Sequence, residues 1–209
     1  MPAIEKLTPG RYYYDMWLSR PDLEWAYISI NRSASSFIRT YFLNNEFHKI
    51  DPRDYKSAHK LVVLRDPLDR LLSGITFFES GKQFIKNPKR FLIEHEFDPH
   101  IKLQKRFLAE VDLDNCTFIQ YNNVLKKNLL NFLEQNNTTM VVEPDKWNNR
   151  ITPISDPDKE NEVELGSESS FRFQVFNAMK NDIKLYDTVM NYLDEDFKLY
   201  NNVRFYGTN

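Results

Sequence analysis

LVVLRDPLDRLLSGI, residues 61–75, changes its period part-way along. From Leu61 to Leu64, directly after His59 and Lys60, the stretch is continuously apolar, the pattern of a parallel strand covered on both faces. From Asp66 onward the apolar residues Leu68, Leu71, Leu72 and Ile75 recur at the three-and-four spacing of one helix face. Asp66 is a good N-cap, Pro67 suits the first helical position, and Asp69 follows three residues after the cap. A strand that passes into a capped helix so abruptly predicts an α/β layered fold with a parallel sheet.

The flanking sequence repeats the design. EWAYISI (24–30) reads as a buried strand, NRSASSF (31–37) as a small polar turn, and SSFIRTYFLNN (35–45) as a helix with Ile38, Tyr41 and Phe42 on one face. FHKI (47–50) is a possible short strand. Beyond the central stretch, 82–110 is basic and helical in pattern. CTFIQY (116–121) reads as a strand, and NNVLKKNLLNFLEQNN (122–137) as a helix with Leu125, Leu129, Phe132 and Leu133 together. Residues 137–170 have loop composition. Phe176, Met179, Ile183, Tyr186, Met190, Leu193 and Phe197 predict one or two packed C-terminal helices.

The 209 residues suffice for one sizeable core, so a single domain is expected. With 28 Lys and Arg against 30 Asp and Glu, the net charge of -2 provides no global attraction to nucleic acid or to an anionic membrane. No apolar run is long enough for a membrane span, and no secretory signal is recognised, so a cytoplasmic location is expected. The one cysteine, Cys116, excludes an internal disulfide and reads as a half-buried strand residue. Any anion bound by this chain must be held by a local site.

Two such sites are legible. A strand that ends in small residues and runs into a helix presents backbone N–H groups at the positive end of a helix dipole. In NRSASSF the side chains of Ser33, Ala34, Ser35 and Ser36 let an anion approach the backbone, and Arg32 adds a cation. The plainer reading of this stretch alone is a turn with a serine N-cap. It lacks the G-x-x-x-x-G-K-[ST] pattern of nucleotide triphosphatases. In the second stretch Arg65 ends the strand and Ser73 follows within the helix. Arg70 and Ser73 share a face away from the apolar stripe. Two anion sites at the ends of neighbouring strands suit a ligand with phosphates at both ends.

Together these stretches resemble the sulfotransferases that use 3′-phosphoadenosine 5′-phosphosulfate (PAPS). INRSASSF is similar to their 5′-phosphosulfate loop, written P-K-x-G-T-T-W or P-K-T-A-S-T-S, and VLRDPLDRLLSG to their 3′-phosphate motif, R-[DN]-P-x-[DE]-R-L-x-S. The likeness is nearest to the carbohydrate enzymes of the heparan and chondroitin type and their short bacterial relatives. DPHIKLQKRFL resembles a D-x-H-x-x-x-Q stretch of that branch, FIQYNNVLKKNLLNFL its late strand and helix, and VMNYLDEDFKLYNNV its closing helix. The resemblance implies a P-loop-like three-layer fold with a central parallel sheet flanked by helices. It also implies that 79–105 and 137–170 are acceptor-side loops or a lid.

On this resemblance Arg32 stands at the family's lysine, against the sulfuryl group and the bridging oxygen. Ser33, Ala34, Ser35, Ser36 and Phe37 hold the 5′-phosphate, and Arg65 and Ser73 the 3′-phosphate. Two positions depart from the pattern: arginine stands for lysine, which changes reach and geometry, and Asn31 stands for proline. The implied reaction moves a sulfuryl group from PAPS to a hydroxyl of a carbohydrate acceptor, leaves adenosine 3′,5′-bisphosphate, and needs no metal. It needs a general base. His48 is the first choice, with Asp51, Asp54 and His100 as alternatives. His59, at a strand start, should lie at the sheet end away from the ligand, and His95 reads as solvated. Lys82, Lys86, Lys89 and Arg90 read as a wet face that could also receive an anionic acceptor. Two other readings stand beside this one: a nucleotide-binding protein of the same fold with little turnover, and a kinase-like phosphotransferase.

Overall fold

The computed structural model describes residues 17–76, 81–141 and 168–207, apart from the side chains of 81, 82 and 168–171. It is a mixed α/β structure with a five-stranded sheet and eight α-helices among the described residues. Contacts group these residues into two compact units. A sheet unit comprises 17–64, 107–141 and 204–207, and a helical unit comprises 65–76, 81–106 and 168–203.

In the sheet unit the strands are β1 (Trp17–Ser19), β2 (Trp25–Ile28), β3 (His48–Lys49), β4 (His59–Leu64) and β5 (Cys116–Gln120), in the order β3-β1-β2-β4-β5. β2, β4 and β5 are parallel, with Tyr27 opposite Leu61 and Leu61 opposite Thr117. β1 runs antiparallel to both β2 and β3, so the sheet is mixed rather than wholly parallel as expected. β1 is only three residues long, too short to show a period. It forms a hairpin with β2 through a turn in which the Arg20 guanidinium grips Asp22 at 2.6 Å.

Leu61, Val62, Val63 and Leu64 are all buried, as a strand covered on both faces requires. One face carries Trp25, Tyr27, Leu61, Val63 and Ile119 against Ile38, Tyr41 and Phe42 of α1 (Ser35–Leu43) and Leu125, Leu129, Phe132 and Leu133 of α6 (Leu125–Gln135). These are the residues that helical spacing selects. Aromatic rings knit them together: Phe42 stacks on Phe47 at 4.5 Å and Trp25 meets Phe132 edge-on at 5.2 Å.

The helical unit contains α2 (Pro67–Ile75), α3 (Gly81–Lys86), α4 (Pro88–Glu94), α5 (Gln104–Phe107), α7 (Glu168–Asn181) and α8 (Ile183–Asn202). The basic stretch expected to be helical is thus broken into short pieces, with Asn87 capping α4 by accepting from the Arg90 N–H at 3.2 Å. The C-terminal stripe differs from its sequence reading. Asp182 accepts from the Lys184 and Leu185 amides and starts a new helix, so the phase resets. Val175, Met179, Leu185, Val189 and Leu193 are buried, whereas Ile183 and Tyr186 are exposed. Of the 137–170 segment, 142–167 lies outside the described residues. Among the described residues no helix is long and apolar enough to cross a membrane.

Candidate functional site

The turn after β2 is wound in a way that few L-residues tolerate. Arg32 and Ala34 both lie in the left-handed region, with φ of 66° and 58°, on either side of Ser33, which is fully buried. The Ser33 N–H closes the turn on the Ile30 carbonyl at 3.2 Å, and left-handed residues of this kind also occur in the concave nests that bind anions. Left-handed backbone costs a non-glycine residue about 1 kcal/mol or more. The serine N-cap of the plainer reading is absent: α1 starts after Ala34, and no side chain caps it. The N-terminus of α1 carries the positive end of the helix dipole. Phe37 stacks on Tyr41 at 6.4 Å, which seats the first turn on the core of the sheet unit.

In the helical unit Asp66 caps α2 as its sequence predicts, accepting from the Asp69 N–H at 2.9 Å, with Pro67 at the helix start. Arg65 is 6% exposed, and its Nε donates to Asp69 Oδ2 at 2.6 Å. The other oxygen of Asp69 is gripped by Arg172 of α7, so one carboxylate holds two guanidiniums, and the Asp66 carboxylate also acts on Arg65. Ser73 is buried on α2 and so is Arg70, which is 1% exposed and donates to the Pro99 carbonyl at 3.2 Å. The polar face expected for Arg70 and Ser73 is therefore interior, and Arg70 is a structural cation. Gly74 allows this packing, because a Cβ there would run into the carbonyl of His100.

No protein-family model, curated protein or solved structure matches the chain. The chemistry of the site rests on its own geometry.

The four histidines are sorted by what holds their rings. His48 is exposed on the edge strand β3, opposite Ser19 and separated from β2 by β1, with Nδ1 3.1 Å from the Glu46 carbonyl. His100 Nδ1 lies 2.9 Å from Asp98 Oδ1, which also accepts from the His100 amide at 2.8 Å. Among the four, His100 has the carboxylate-oriented ring that a general base employs. His59 is fixed by Asn115 at 3.1 Å and Thr117 at 2.8 Å, at the start of β4. His95, read as solvated, instead closes α4 with Nδ1 on the Phe91 carbonyl at 2.8 Å and its ring stacked on Phe91.

Two carboxylates change standing. Asp51 is hydrogen-bonded by the Arg53 guanidinium at 2.5 Å, and that bond holds its carboxyl below the ordinary aspartate value, which weakens it as a base. Asp54 lines a cavity of about 550 Å3 with His59, Asn115 and Trp25, the residues that begin or precede β4, β5 and β2. The loop 31–37 follows the opposite end of β2, so Asp54 belongs to the wrong end of the sheet. Lys86, Lys89 and Arg90 are exposed, and Arg90 pairs with Glu94 at 2.7 Å. Cys116 is half-buried, and burial pushes its thiol up to about 11.

Asp69 reads from sequence only as a helix-start residue, and Arg172, Gln104 and Asp196 carry no role there, yet all four join a network around Arg65. The Gln104 side chain bridges the Arg65 amide and carbonyl, and the Asp196 carboxylate holds the Gln104 amide. Gln104 and Asp196 did fall in stretches singled out by resemblance, a D-x-H-x-x-x-Q pattern and the closing helix. Arg172 carried no signal.

Proposed function

We propose that this chain is a sulfotransferase, moving the sulfuryl group of PAPS to a hydroxyl of a carbohydrate-type acceptor on a P-loop-like fold. The observation that carries the reading is the loop 31–37: two left-handed residues around buried Ser33, small side chains, and an uncapped helix start. A strained turn of small residues running into a helix N-terminus is a form that anion-binding loops take. Arg65, held by Asp69 beside Arg172 where β4 passes into α2, supports the assignment of a second phosphate to the start of α2.

In this reading the Arg32 side chain and the loop amides stabilise charge on the 5′-phosphate side as the bond from sulfur to the bridging oxygen breaks. The acceptor oxygen forms the new S–O bond, and its proton passes to a base. The Asp98–His100 pair fits that role better than His48, because the carboxylate fixes the orientation of the ring. Adenosine 3′,5′-bisphosphate leaves.

Calorimetric titration tests the reading. Adenosine 3′,5′-bisphosphate should bind at least tenfold more tightly than AMP, and Arg65→Ala should remove most of that margin. Turnover of labelled PAPS with a saccharide panel should fall by about 100-fold or more in Arg32→Ala. Equal affinity for the two nucleotides would sink the two-phosphate reading, and tight binding without turnover would favour the non-catalytic one.

A further inference from the structure

β4 ends at Leu64, whose carbonyl accepts from the Tyr121 amide at 2.7 Å, and Arg65 steps out of the ladder. A residue leaving a sheet has an amide and a carbonyl to satisfy. Both are taken by one side chain: Gln104 Oε1 accepts from the Arg65 N–H at 3.0 Å, and Gln104 Nε2 donates to the Arg65 carbonyl at 2.8 Å. The primary amide thus imitates a strand rung at this single residue.

Gln104 is itself fixed from behind. Its N–H donates to Asp196 Oδ2 and the next amide, of Lys105, to Asp196 Oδ1, both at 2.8 Å. Gln104 and Asp196 are each 0% exposed. Burying an amide and a carboxylate is costly unless every group is satisfied, and an apolar pair would fill the same volume at less cost. What the polar pair adds is a fixed backbone for Arg65, whose side chain Asp69 holds separately.

We propose that Gln104 and Asp196 are positioning residues for Arg65, setting the backbone from which its guanidinium meets the 3′-phosphate; this rests on the reading of Arg65 given above. A guanidinium displaced by a fraction of an ångström still carries its charge but loses its paired hydrogen bonds. The network therefore governs discrimination between nucleotides with and without a 3′-phosphate, beyond any effect on folding.

The test is titration of the full-length chain with adenosine 3′,5′-bisphosphate and with AMP, in wild type, Gln104→Met and Asp196→Asn, with circular dichroism confirming the fold. Gln104→Met should cut the preference for the bisphosphate about tenfold and leave AMP affinity within about twofold. Asp196→Asn, which keeps volume and one acceptor, should cut it about threefold and carries the test if Gln104→Met does not fold. A folded variant that keeps the wild-type preference overturns the inference while Arg65 stays assigned. A wild type without the preference removes the assignment of Arg65, and the inference with it.

Discussion

Arg32 and Ala34 hold left-handed backbone on both sides of a buried serine, and neither residue type announces this. Glycine would adopt the same φ at no steric cost. Arg32→Gly and Arg32→Ala should therefore abolish turnover alike, while the glycine variant is more stable by about 1 kcal/mol in urea unfolding. Equal stability of the two would show that the left-handed turn is not maintained in solution. The cation was legible from sequence because its type and its place after a strand carry chemistry. The base was less so: His48, His59, His95 and His100 look alike in the sequence, and what separates them is the group that holds each ring, a peptide carbonyl, an amide and a hydroxyl, a helix end, or the Asp98 carboxylate.

At the scale of elements, α2 illustrates both what a pattern reveals and where it stops. Its cap, its proline and its stripe of Leu71, Leu72 and Ile75 are local features and appear as read. That Arg70 and Ser73 are buried as well is not local, because it depends on the segment carrying Pro99 and His100. Gly74 is the element's narrowest point. Gly74→Ala should destabilise the protein by about 2 kcal/mol, since the new methyl must displace backbone rather than a flexible side chain. Thermal unfolding would measure this, and an unchanged midpoint would mean that α2 and the His100 segment are not in contact. The C-terminal pattern does form two helices as read, but a periodicity carried through Asp182, which caps the second of them, places Ile183 and Tyr186 on the buried stripe although both are exposed.

For the whole molecule, both units bury charge beside an apolar cluster: the sheet unit Lys60, whose Nζ donates to the Lys56 carbonyl at 2.6 Å, and the helical unit Arg70 and Asp196. Burial pushes the Asp196 carboxyl above the ordinary aspartate value, against the pull of the Lys105 and Gln104 amides and the Arg70 charge. The native state then holds this proton more firmly than the unfolded chain does. Its contribution to stability is complete below the unfolded pKa and is lost as pH rises through the folded one. Urea midpoints from about pH 4 to pH 7 should fall in wild type relative to Asp196→Asn. A wild type that gained stability over the variant across that range would place the carboxylate in an environment that favours its charge.

The sequence by itself determined the alternation of strands and helices, the buried strand β4, the cap of α2 and the two cationic turns, since each depends on residues adjacent in the chain or one helical turn apart. Tertiary structure alone decided that β1 joins antiparallel and makes the sheet mixed, that Asp54 falls at the far end from the loop, and that Gln104, Asp196 and Arg172 gather on the local pair of Arg65 and Asp69. Those outcomes are set by hydrogen bonds between segments far apart in sequence. A buried donor or acceptor must be satisfied wherever a partner lies, and no local pattern records where that partner will be.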